Sequence, residues 1–162
     1  MKIMKVIILL IFVCFFALSV FAQIREVRKI DEFGNITCED LKARLENFAI
    51  VINEQPKSIG YAVIYEGRYS KNIYDRKGNV TRTKILPTFS ESVSYTQLMQ
   101  KYIFRFKRFP QKKLLFIDGG FRENFTVEFW LVPDGAKLPK PIPTLETMKY
   151  RKGAPLKIDC VE

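Results

Sequence analysis

The chain of 162 residues has no histidine. This removes Ser-His-Asp and Cys-His nucleophile systems, and zinc sites built on imidazole. Carboxylates, guanidinium groups and ammonium groups remain, and several stand where two strands are expected to end. Glu66 and Arg68 follow the apolar run Tyr61–Tyr65, while Asp118, Arg122 and Glu123 follow Leu114–Ile117. If the two strands run parallel, their carboxyl ends lie together, and in open α/β sheets ligands bind at that edge. Arginine forks hold a carboxylate there, and Gly119-Gly120 lets backbone approach closely. Glu66, Arg68, Asp118 and Arg122 are thus the candidate ligand set, suited to a zwitterion. The plain alternative is turn chemistry plus surface ion pairs, each worth about 0–1 kcal/mol. Paired carboxylates also perform hydrolysis, so a small hydrolase using Glu66, Asp118 or Glu123 is the enzymatic alternative. Nothing in the sequence sets their separation, and the expectation is a non-enzymatic chain without cofactor or metal.

The elements that must position these residues are read from periodicity. Glu26–Phe33 alternates loosely and suits a first strand ending at Gly34-Asn35. Thr37 is placed as an N-cap with Asp40 three residues on, the capping-box spacing. Leu41, Leu45, Phe48 and Ile52 then form one apolar helical stripe, which Pro56 stops. Tyr61–Tyr65 is a short strand covered on both faces. Residues 68–88 read as a long basic loop, with room for a short hairpin around Lys77-Gly78-Asn79. A second helix is expected over about 92–108, ended by Pro110. Leu114–Ile117 is a further buried strand, Asp118-Gly119-Gly120 a turn, and Phe125–Val132 a half-buried strand. In that last strand Phe125, Val127, Phe129 and Leu131 face inward, with Thr126 and Glu128 opposite. Pro139, Pro141 and Pro143 mark an extended tail without core pattern, and 154–161 either adds a strand or trails. The expected fold is α/β (α+β): a β-α-β-α-β-β mixed sheet with two helices on one face.

At the front, Lys2 and Lys5 precede the apolar run Val6–Leu18, and Val20-Phe21-Ala22 precedes Gln23, the pattern of a cleaved export signal. The alternative is an uncleaved anchor, although a span needs about 20 apolar residues. Three parts result: a signal over 1–22, a domain over 23–133 and a tail over 134–162. Cleavage leaves 25 basic and 17 acidic side chains. It also leaves two cysteines, Cys38 and Cys160. In an oxidising compartment a disulfide between them is the simplest reading, two free thiols the other. The expected location is therefore periplasmic or secreted, with membrane contact only during export. Tyr65, Tyr69 and Tyr74 interleave with basic residues, a pattern able to stack bases, but an exported chain does not meet nucleic acid as its task. Anionic lipid or cell-wall polymer suits the charge and compartment better. Three N-x-[ST] triplets, at Asn35, Asn79 and Asn124, are discounted as chance matches.

Taken together, Ile30–Gly34, Cys38–Asp40, Leu45–Ile50, Gly60-Tyr61, Val63–Tyr65, Ile117–Glu123 and Thr126–Pro133 resemble a group of uncharacterised exported bacterial proteins. Their element order is similar to the OmpA-like periplasmic domain, whose members bind peptidoglycan. The resemblance covers about 26–133 and implies that fold. It does not transfer a ligand site. Glu66-Gly67-Arg68-Tyr69 stands where the family has a Thr-Asp-type pair, the second helix has no early arginine, and Phe125-Thr126 replaces a double arginine. The expected function is an exported cell-envelope binding or scaffold domain, with peptidoglycan or another anionic envelope polymer, or another envelope protein, as partner. A secreted module that docks a protein partner is the alternative.

Overall fold

Residues 26–154 are described by the computed structural model. The signal and its cleavage point, Cys160 and nearly all of the segment expected as a last strand lie outside the described residues. No described helix is long and apolar enough to cross a membrane.

Strand β1 (Arg28–Phe33) leads into helix α1 (Cys38–Glu54). The helix starts as its cap predicts, with the Thr37 hydroxyl accepting the Asp40 N–H at 3.3 Å. Arg44 ties it to β1 by donating to both oxygens of Asp31 at 2.7–2.8 Å, and it also reaches Asp40 one turn back at 3.1 Å. Leu41, Leu45, Phe48 and Ile52 are buried as the stripe requires. Cys38 is disulfide-bonded.

Strand β2 (Ser58–Tyr74) runs far past its expected end at Tyr65. The basic segment after Arg68 is therefore mostly not a loop but the second half of β2, a turn, and strand β3 (Val80–Ile85) antiparallel to it. Asp75 builds the turn by accepting the N–H groups of Lys77 and Asn79, each at 2.8 Å, and Gly78 supplies φ +83°. The hairpin around 77–79 is present. Its polar alternation conceals it, because both strands leave much of their surface in water.

Helix α2 (Glu91–Gln100) continues as π-helical turns over Lys101–Phe106, so the expected second helix is present with a widened end. After a short 3₁₀ turn come β4 (Leu114–Asn124) and β5 (Thr126–Pro133). Asp118-Gly119-Gly120 is not a turn; it lies inside β4. Ile64 pairs with Asp118 and Tyr65 with Gly120, which leaves Gly119 as the extra residue of a bulge. A Cβ on Gly119 would stand 2.6 Å from the Tyr65 ring, so only glycine permits this approach.

Among the described residues the result is a mixed α+β fold with five strands and two helices, one strand more than expected. Strand β2 is the centre: β5 pairs antiparallel along one side, β4 parallel and then β3 antiparallel along the other, and β1 completes the sheet beyond β5. Both helices pack on one face, over Ala62, Ile64, Val127, Phe129 and Leu131. There the Phe48 and Phe129 rings stack at 4.4 Å. Tyr61, Val63, Tyr65 and Val132 form a second cluster on the opposite face, joined by Trp130 and Ala136. The tail does have fixed contacts. Thr144 and Leu145 donate to Phe121 O at 2.9 and 3.1 Å, and Arg151 N–H to Pro87 O at 2.9 Å.

A Cβ at Gly67 would lie 2.2–2.6 Å from backbone atoms of Asn124 and Phe125, whereas one at Gly78 meets nothing within 4 Å. Gly67→Ala should therefore lower unfolding free energy by about 2–4 kcal/mol through forced backbone displacement. Gly78→Ala should cost only the left-handed backbone penalty, about 1–2 kcal/mol. Urea denaturation of the two variants checks the order.

Candidate functional site

The four residues expected to converge do not share one site, because two bulges reverse the strand alternation between them. The β2–β4 register slips between Glu66 and Arg68 and again at Gly119. Gly119, an extra residue in β4, sends Arg122 to the face opposite Asp118, and at the second slip β4 again carries the extra residue, with Glu66 to Arg68 set against Phe121 to Asn124. Glu66 and Asp118 lie on the face that carries α2. Glu66 is buried; its Oε2 accepts the Tyr150 hydroxyl at 2.9 Å, and its Oε1 lies 3.5 Å from the Ser92 N–H in the first turn of α2. Asp118 is exposed, accepts the Gly120 N–H at 2.8 Å, and borders a groove with Ser92, Val93 and Thr96. Arg68 is exposed and borders a shallow cavity with the equally exposed Glu123 and with Lys149 of the tail.

Arg122 emerges on the opposite face, where it belongs to a site that sequence reasoning missed. Its Nη1 lies 3.1 Å from Oε1 of Glu128, a carboxylate only 4% exposed. Lys29 reaches the same oxygen at 2.9 Å. The other oxygen accepts the Trp130 indole N–H at 3.0 Å and the Tyr65 hydroxyl at 3.3 Å. Both oxygens thus have two donors, which a buried carboxylate requires to stay charged. The guanidinium of Arg122 also lies 3.5 Å from the Tyr65 ring centroid. It donates through Nε to Ile142 O at 3.1 Å, while the Ile142 N–H reaches the Tyr65 hydroxyl at 3.1 Å. Glu128 is therefore the hub that fastens the proline-rich tail to the sheet.

One signal for this hub was available. A central strand covered on both faces leaves no wet side for the residues paired with it, and Val63 pairs with Glu128. The expectation that Glu128 faces solvent fails for that reason.

A second buried carboxylate, Glu91, opens α2. Its Oε2 accepts the Thr88 N–H at 2.6 Å and the Thr88 hydroxyl at 2.8 Å, and Arg151 of the tail approaches to 3.7 Å. Burial pushes the Tyr69 hydroxyl far above its ordinary range, with the charges of Glu91 and Glu66 adding to the effect. Burial likewise raises Tyr150 to about 12, helped by its bond to Glu66. These hydroxyls stay protonated at neutral pH. Glu66 and Glu91 thus hold Tyr150 and Arg151 as Glu128 holds the chain near Ile142, and both faces of the sheet contribute to fastening the tail.

The β2–β3 hairpin presents a strongly basic surface. Six basic residues and one acid lie between Arg68 and Ile85. Ser70 pairs with Lys84, which places Arg68, Arg82 and Lys84 on the outward face, opposite buried Tyr69. All three are exposed, as are Arg76 and Lys77 near the turn. The ion pairs of the described residues use none of these five. Among the described residues no three acidic or cysteine side chains are grouped to hold a metal ion. Comparison with protein-family models, curated proteins and solved structures found no match.

Burial alone would raise the Glu128 carboxyl. The hydrogen bonds from Lys29 and Trp130, together with the charges of Arg122 and Lys29, outweigh it and hold the carboxyl below the usual range. A depressed folded pKa stabilises fully above the unfolded value, and the contribution is lost as pH falls through the folded one. Glu128→Gln should reduce stability at pH 7 by about 1–3 kcal/mol. It should also flatten the loss of stability below about pH 4, near the unfolded glutamate value. Unfolding free energies measured across the acid range check both effects.

Proposed function

We propose that this chain is an exported, non-enzymatic binding or scaffold domain of the cell envelope that holds an anionic polymer on the outward face of the β2–β3 hairpin. The observation that carries the reading is the exposed basic surface of Arg68, Arg82 and Lys84 with Arg76 and Lys77 near the turn, which no ion pair among the described residues uses. Alternate residues on one face of a strand are spaced about 7 Å apart. A row of cations at that spacing suits a polymer of repeating carboxylates or phosphates better than a single small ligand. The non-enzymatic part rests on the buried carboxylates. Glu66, Glu91 and Glu128 are occupied by donors from the backbone, the tail and neighbouring strands, so none is presented to a substrate.

The export part rests on the signal-like leader and on the bonded state of Cys38, with Cys160 the partner expected from the sequence. The OmpA-like element order supports peptidoglycan as the first polymer to test. The second reading, a module that docks another envelope protein, is favoured by the exposed Phe89, 74% accessible, beside Tyr150.

The test is co-sedimentation with purified peptidoglycan and with an anionic wall polymer. Retention is expected at low salt, and Arg82→Glu with Lys84→Glu should weaken it at least tenfold, which corresponds to about 1.4 kcal/mol. Retention that the double variant leaves unchanged, or no retention on either polymer, refutes the hairpin as the polymer site.

A further inference from the structure

The sheet formed by β1, β5, β2 and β4 has two margins, and they are guarded very differently. Four of the six residues of β1 are charged, namely Arg28, Lys29, Asp31 and Glu32, and such charges keep an edge from accepting a second strand. The β4 margin begins Leu114-Leu115-Phe116-Ile117, without charge or proline. Its inner side pairs with β2. On the outer side, pairing among the described residues is confined to Phe121, which Leu145 of the tail meets antiparallel. That contact shows an extended chain seated on this margin; the stretch from Leu114 to Asp118 is left open. Leu115 is 39% exposed, and Val93 of α2, 51% exposed, stands beside Phe116 and Ile117 over a groove of about 270 Å³.

The charges around this stretch identify what would cover it. Lys112 and Lys113 precede the strand and Asp118 closes it. The strand is therefore complementary to itself when reversed. With a two-fold axis at Leu115, antiparallel pairing places Leu115 opposite Leu115 and Phe116 opposite Leu114, and it brings Lys112 and Lys113 of the turn before β4 to the end of the partner strand that carries Ile117 and Asp118. Directly opposed residues share a face, and Leu114, Phe116 and Asp118 all lie on the helix-bearing side. The register thus keeps apolar against apolar over Leu114–Phe116 and brings the basic end of each strand to the acidic end of the other. Asp118 and Lys112 are exposed and enter none of the described ion pairs. We propose that the β4 margin from Leu114 to Asp118 is an interface at which a second copy of this chain adds its own β4 antiparallel, with the two-fold axis at Leu115.

Sedimentation velocity at around 100 µM, where a micromolar interface is saturated, reads the outcome. The unmodified chain sediments as a dimer, and Leu115→Lys weakens association at least tenfold. Asp118→Lys and Lys112→Glu each oppose like charges in a homodimer and sediment as monomers. An equimolar mixture of the two restores both attractions and sediments as a dimer. Leu115→Cys crosslinks between copies under mild oxidation, since directly opposed Cβ atoms lie about 5 Å apart. All of these positions are exposed, and unchanged far-UV circular dichroism separates lost association from lost folding. A monomeric unmodified chain, a Leu115→Lys variant as dimeric as its parent, or a charge-swapped mixture no more associated than its components overturns the proposal.

Discussion

Strand β2 carries apolar side chains on both faces, and each face must be kept from water. Ala62 and Ile64 look one way, Tyr61, Val63 and Tyr65 the other. Two helices cover the first face. Among the described residues no helix lies on the second, where Trp130, Val132 and the segment after β5 pack instead. Fully burying one such side chain contributes about 1.5–3 kcal/mol, so leaving that face open would forgo a large part of a small domain's stability. The tail is held because the sheet needs a second layer.

Covering the second face buries whatever polar group lies on it, and this accounts for the Glu128 hub. An uncompensated carboxylate at that depth would cost several kcal/mol or be neutralised. Four donors from β1, β2, β4 and β5 surround it instead. Two of these donors, Arg122 and Tyr65, also bond the chain at Ile142, so charge compensation and tail attachment are one arrangement. On the helix face Glu66 and Glu91 do the equivalent work for Tyr150 and Arg151. Glu66, Glu91 and Glu128 are thus engaged in holding the tail, whereas Asp118 and Glu123 stay exposed with the basic residues of the hairpin.

Much of the fold was legible. The α1 cap and stripe, the presence of α2, the β5 alternation and the hairpin turn all rest on local rules, and each appears where those rules put it. The site was not legible, for an identifiable reason. Asp118 and Arg122 are spaced as same-face residues, and the extra residue Gly119 reverses that, while the slip beside Glu66 and Arg68 has its extra residue in β4. Gly67 and Gly119 were visible as glycines, but a glycine in a strand does not announce whether it marks a turn or a bulge. Gly119 was read as a turn, and it is a close approach to Tyr65.

Local composition was enough for the helices, the turn residues, the net charge and the apolar character of β2, because these depend on neighbours within a few positions. The β4 and β5 partners of β2, the bulge that re-aims Arg122, and the burial of Glu128 depend on residues 54 or more positions apart. Only the tertiary structure decides them, since a strand's pairing and its covering layer are properties of the whole sheet and are written in no single segment.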